Sequence, residues 1–168
     1  MNGDVVTKAI AFANADGEFQ YNARWWTGSM TILVDGKGWT LEINRGKIGA
    51  ASSAVDDGLS GAGDDFQVDA SSETWAHLLS TVPPSGYVDY VAAAAVGGLV
   101  LSPPHPDAER HLATRRFCEL LRAATNGTDP APKPGGYTRP HGTFDKAVGR
   151  YVHLNIGGYD NRVYFEEA

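Results

Sequence analysis

Residues 66–79 read FQVDASSETWAHLL, and residues 87–101 continue as YVDYVAAAAVGGLVL. Phe66-Gln67-Val68 has the apolar–polar–apolar rhythm of a short strand. Ser71 or Ser72 then caps a helix carrying Glu73 in its first turn, where the helix dipole favours an acid. Trp75, Leu78, Leu79 and Val82 follow at helical spacing, and Pro83-Pro84 stops the helix by removing backbone donors. No Lys or Arg occurs between Lys47 and Arg110, and Val91 to Leu101 carries no charge of either sign. A run that apolar is either covered on most sides or itself lines something apolar.

Working outward, a long helix follows. Pro106 suits its first position and Asn126-Gly127 its left-handed end. Ala113, Phe117, Leu120, Leu121 and Ala124 form its buried stripe, with His111, Arg115, Glu119 and Arg122 toward water. Upstream, Met30, Ile32 and Val34 alternate up to Asp35-Gly36-Lys37-Gly38, and Trp39, Leu41 and Ile43 alternate after it. Two such strands around Asp-Gly predict a β-hairpin. Asn44-Arg45-Gly46-Lys47 is the next turn, Ile48 to Val55 a third strand, and Asp56 to Asp65 a Gly- and Asp-rich loop. Alternation also predicts a strand from Phe19 to Trp26. Asp4 caps a first helix, with Val5, Val6, Ala9, Phe12 and Ala13 on one face, which Asp16-Gly17 ends. Tyr87 to Val96 reads as a further helix and Leu99 to Leu101 as a buried strand, although period alone does not separate helix from strand in so apolar a run.

The chain has 168 residues, 42% of them hydrophobic and 20% charged, the size and composition of one folded domain with a short appendage. A net charge of −6 argues against nucleic acid, which requires clustered Lys and Arg. Lone Cys118 excludes an internal disulfide and suits a reducing, cytoplasmic setting. Met1 to Phe12 lacks the basic flank and long apolar core of a secretory signal, and the apolar run is too short to span a bilayer.

The order of elements resembles the sterol-carrier-protein family, the nonspecific lipid-transfer proteins. The resemblance lies in the meander from Trp25 to Val55, in Asp65-Phe66-Gln67-Val68 running into Ser72-Glu73-Thr74-Trp75, and in Gly98-Leu99-Val100-Leu101-Ser102 running into the last helix. It implies an α+β domain over residues 4–125, a five-stranded mixed sheet packed by helices around an apolar cavity. The implied work is non-catalytic binding or transfer of a lipid, fatty acyl chain or sterol-like molecule, with no cofactor. Residues 126–148 form a Pro/Gly-rich linker and 149–168 a tail hairpin, from Tyr151-Val152-His153-Leu154 to Arg162-Val163-Tyr164-Phe165. That tail is similar to the opening hairpin of α/β-hydrolases with a sterol-carrier-like region at their N-terminus. The chain has no Gly-x-Ser-x-Gly elbow, since Gly58-Leu59-Ser60-Gly61 has the wrong spacing.

Met30, Ile32, Trp39, Leu41, Ile43, Phe66, Trp75, Leu79, Tyr90, Phe117 and Leu121 are the expected ligand-binding set, weighed against a solid, close-packed core. Partners are then an apolar small molecule and, through the tail, a second copy or another protein. Transient contact with a membrane surface stays open. Other readings are weaker. Asp89 and Tyr90 could serve a small isomerase or cyclase as base and hydrogen-bond donor, but on a helix they diverge by about 100°. A third reading is an interaction module associated with a hydrolase. Asp107 and His111 lie one helical turn apart, yet no third metal ligand is evident. Cys118, His141 and His153 form no nucleophile set, and Asp56, Asp57, Asp64 and Asp65 lack the spacing of a calcium loop.

Overall fold

The structure, a computed structural model, describes residues 1–55, 66–104 and 108–130. The expected Asp56–Asp65 loop, the Pro106 helix start, most of the linker and the tail hairpin lie outside the described residues.

Five strands form one mixed sheet in the order β3-β2-β1-β4-β5. β1 (Thr27–Val34) and β2 (Lys37–Asn44) pair antiparallel from Thr27 opposite Asn44 to Val34 opposite Lys37. That register leaves a two-residue turn, with Asp35 at φ 52° and Gly36 at φ 73°. Both central residues adopt the left-handed conformation that matches the twist of a hairpin. The same device recurs between β2 and β3 (Lys47–Val55), where Arg45 has φ 48° and Gly46 φ 82°. Gly46 is also required sterically, since a Cβ there would lie 2.5 Å from the Gln20 backbone oxygen. β4 (Phe66–Ala70) runs parallel to β1, and β5 (Leu99–Ser102) antiparallel to β4.

The register aligns Met30, Leu41 and Phe66 across three strands, and next to them Ile32, Trp39 and Val68. This apolar face packs on helices α1 (Gly3–Ala15), α2 (Gly17–Asn22), α3 (Ser72–Leu79), α4 (Tyr90–Ala95) and α5 (Ala108–Thr125). α5 touches each of the other four. Its expected stripe of Ala113, Phe117, Leu120, Leu121 and Ala124 is buried, and Gly127 closes it at φ 67°.

Several expectations need correction. Phe19 to Trp26 is not a strand. Asp16 accepts a hydrogen bond from the Phe19 amide at 2.8 Å, so the residue that ends α1 also caps α2. Phe19 and Trp26 are buried while Trp25 is 71% exposed, a pattern set by a helical turn and a bend. The cap of α1 is Asn2, which accepts from Val5 N at 3.0 Å, with Asp4 in the first turn. α3 ends at Leu79, before the prolines, and leaves Val82 exposed. The polar side of α5 is not simply solvated. Arg122 donates from Nε to Leu78 O at 2.8 Å and from Nη2 to Val88 O at 2.9 Å. His111 faces Tyr90.

Arg116, on α5, is the residue that the helical pattern alone does not single out. Its Nη2 lies 2.6 Å from Asp16 Oδ2 and its Nε 3.1 Å from Asp16 Oδ1, a bidentate pair with both side chains at most 5% exposed. Glu119 takes Nη1 at 2.6 Å. Burial works against the guanidinium charge, but the bonds to Asp16 and Glu119 outweigh it and raise its pKa. Breaking a buried pair by removing one partner strands the other charge, at a cost of about 3–5 kcal/mol. Urea unfolding of Arg116→Met should show a loss in that range. Adding Asp16→Asn, which retains the α2 cap, should recover part of it. A loss below about 1 kcal/mol for the single variant would mean that Asp16 rehydrates readily.

Candidate functional site

A groove of about 550 Å³ opens where the start of α1, the end of β1, the length of α3 and the end of α5 meet. Its apolar wall is Val5, Val34, Trp75, Ala76 and Leu79, with Met1 at one edge. Asn2, Ser72, Ser80, Thr125 and Asn126 make up the polar rim. None of these described side chains is charged. Ser72 and Ser80 flank α3 eight residues apart, so the groove follows that helix for about 12 Å at 1.5 Å per residue.

Trp75 fixes α3 over the sheet. It is 2% exposed and its indole Nε1 donates to Leu33 O on β1 at 2.7 Å, which satisfies the one polar atom of a large apolar side chain. The far end is held by Asn126, whose Nδ2 donates to Leu79 O at 2.8 Å and to Arg122 O at 2.7 Å. Thr81 donates to Asn126 Oδ1 at 2.9 Å. α3 is thus tied down at its middle to β1 and at its end to Asn126, the residue after α5.

Of the expected ligand-binding set, Trp75 and Leu79 line this groove. Met30, Ile32, Leu41, Ile43, Phe66, Tyr90, Phe117 and Leu121 do not. They are at most 2% exposed and belong to the packed core, with Trp39 half-buried against it. The rest of the groove was missed. The sequence period marks Val5 and Val34 only as core-facing positions of a helix and a strand. Asn2, Ser80 and Thr125 belong to helix ends, where the ordinary reading of a small polar residue is a cap. Nothing in their spacing along the chain brings them together.

The other candidate chemistry resolves into structural roles. Asp89 caps α4, accepting from Val91 N at 3.0 Å and Ala92 N at 2.9 Å, and lies 3.4 Å from Arg115 Nε. Tyr90 turns inward, fully buried, with its hydroxyl 2.5 Å from His111 Nδ1. The two therefore diverge, as their helical spacing requires. Burial pushes the Cys118 thiol up to about 12, so it stays protonated. Among the described residues no group of three His, Cys, Asp or Glu could hold a metal, and no helix is long and apolar enough to cross a membrane. His105, Asp107, His141 and His153 lie outside the described residues.

His111 is lowered from the usual imidazole range chiefly by burial and further by the Arg115 charge, against the opposing pull of Asp89. A group whose pKa is lower folded than unfolded stabilises the fold above its unfolded pKa of about 6.5, and that stability is lost as pH falls. Urea midpoints should therefore drop between pH 7.5 and 5.5, and drop less in His111→Gln. An equal fall in both proteins would assign the pH dependence elsewhere.

No protein-family model matches the sequence, and no curated protein does. Solved structures do. A crystal structure of sterol carrier protein 2 aligns at TM-score 0.53 and 18% identity, covering 70% of this chain and 93% of that one. The solution structure of a conserved hypothetical protein of Thermus thermophilus, described as possibly a sterol carrier protein, aligns at TM-score 0.50 and 19% identity. That alignment covers 80% of this chain and 95% of the other. The five-stranded mixed sheet, its helical layer and these alignments together show that the chain has the sterol-carrier-protein fold.

Proposed function

We propose that the protein binds an apolar small molecule, a lipid or acyl chain, reversibly and without chemical conversion, in the groove along α3. The groove itself carries this reading. Its volume of about 550 Å³ is within the roughly 300–1,000 Å³ of small-molecule sites, its wall is apolar and its rim is polar with no charged side chain. The naming of the two aligned proteins for sterol carriage supports the same reading.

The mechanism is transfer of apolar surface out of water, worth about 25 cal/mol per Å² before ordering costs. α3 supplies a wall whose Trp75 is already anchored, so the protein orders little on binding. An isomerase built on Asp89 lacks a comparable observation, because both Asp89 oxygens are engaged in capping α4 and in the Arg115 pair. We assign the chain a binding rather than a catalytic role, in a cytoplasmic setting, with the apolar ligand as its partner.

Ala76 is exposed on α3 and lines the groove, so a larger side chain there fills the site without disturbing the core. An uncharged, polarity-sensitive fluorophore should bind the wild type saturably. Ala76→Phe should weaken it about tenfold or more, equivalent to about 1.4 kcal/mol, with an unchanged urea midpoint. Saturable binding unaffected by Ala76→Phe would remove the groove from the account.

A further inference from the structure

We infer that the sheet face opposite the helices is a docking surface, and that its occupant is the C-terminal segment of this same chain, residues 131–168. The observation is a leucine buried on the side of the sheet away from the core.

Successive side chains of β1 alternate between its two faces. Met30 and Ile32 face the helices, so Thr31 and Leu33 face the other way. All five helices contribute buried residues to the cluster around Met30 and Ile32, and Leu33 is no part of that cluster. Yet Leu33 is 0% exposed and Thr31 7%. A side chain standing up from a bare sheet face keeps its tip in water. Gly38, opposite Leu33 on β2, has no side chain to shelter it. Val100 shows the same face uncovered: Leu33, Asp69 and Val100 lie in register across β1, β4 and β5, and Val100 is 67% exposed. The cover is therefore a strip over β1 and not a full second layer.

The burial holds in a single chain, so neither a second copy nor another protein supplies it. Outside the described residues the chain offers three segments. His105-Pro106-Asp107 is only three residues, between β5 and α5. Residues 56–65 contain Asp56, Asp57, Asp64 and Asp65, no Lys or Arg, and Leu59 as their one large apolar residue. The charged side chains beside the strip are Asp69 and Glu42, and β1, β4 and β5 carry no Lys or Arg. That loop would set four more acids against two and bring little apolar surface to a leucine. Residues 131–168 suit the face better. Val152, Leu154 and Ile156, then Val163 and Phe165, alternate as the apolar side of two strands, and Lys133, Arg139, Lys146, Arg150 and Arg162 are cations to set against Asp69 and Glu42. The segment also departs from the right place. Thr125 and Asn126 line the groove together with Val34, the residue after Leu33, so the chain leaves α5 beside the end of β1. The 23 residues from Gly127 to Gly149 can reach about 75 Å when extended, against about 24 Å for the width of five strands.

The test is thiol accessibility in the full chain, with Leu33→Cys and Val100→Cys as separate variants and a neutral maleimide as the reagent. Cys118 is buried and protonated, so it stays silent. Leu33→Cys should react at least about tenfold more slowly than Val100→Cys. Adding Leu154→Asp and Phe165→Asp should close most of that gap without changing the Val100→Cys rate, with urea midpoints reporting that each variant is folded. Equal rates in the two single variants would show an open face and overturn the inference. Slow Leu33→Cys modification that ignores the tail substitutions would assign the cover to residues 56–65 and overturn it equally. A second measurement leaves Leu33, Leu154 and the rest of the chain unaltered. With p-benzoylphenylalanine in place of Phe165, irradiation at protein concentrations too low for association should cross-link the tail to the peptide containing Leu33. Cross-links to α3, cross-links only between chains, or none at all would contradict the docking.

Discussion

The bidentate bond between Asp16 and Arg116 is the constraint on which the rest of the helical layer depends. Asp16 sits at the corner between α1 and α2, where its side chain caps the second helix and its backbone ends the first. Arg116 sits near the middle of α5, one hundred residues later. A charged pair this deeply buried tolerates little displacement, because both groups lose water and only one geometry returns it as hydrogen bonds. It therefore sets where α5 crosses the first two helices, and the Phe19–Phe117 ring contact at 6.1 Å packs beside the same crossing. Asn14 extends the anchorage to the sheet by exchanging two 2.8 Å hydrogen bonds with the backbone of Ile48 on β3.

With α5 placed, its last two turns build one end of the groove. Arg122 reaches the Leu78 and Val88 carbonyls and Asn126 the Leu79 carbonyl, so the end of α3 is satisfied by side chains of α5 rather than by water. The middle of α3 is held independently by the Trp75 indole on β1. The groove is the space left between α3, held at its middle and its end, and the beginning of α1, which Asn2 caps. Its rigidity on one side and its open edge on the other are what a reversible site for an apolar molecule requires.

Much of the fold was legible in local sequence. The two hairpin turns, the return strand at Phe66, the Trp75 helix and the buried stripe of α5 all follow from period and turn chemistry, and each is observed. The segment from Phe19 to Trp26 misled because six helical residues are too few to display a 3.6 period, and its letters happen to alternate. The informative residue there was Asp16, which reads equally as the end of one helix and the cap of the next. The site was less legible than the fold. Apolar periodicity marks residues that leave water, and it cannot distinguish those that fill a core, such as Met30 and Phe117, from those that border a groove, such as Val5 and Leu79. That difference arises only when distant helix ends converge.

The central claim is that an apolar ligand occupies the groove along α3 rather than the interior between sheet and helices. Methyl resonances report this directly, because the two regions contain different methyl-bearing residues. On titration with hexadecanol, the methyl signals of Val5, Val34 and Leu79 should shift and saturate, while those of Met30, Ile32 and Leu41 stay in place. Shifts concentrated at Met30, Ile32 and Leu41, or absent from both groups, would contradict the account.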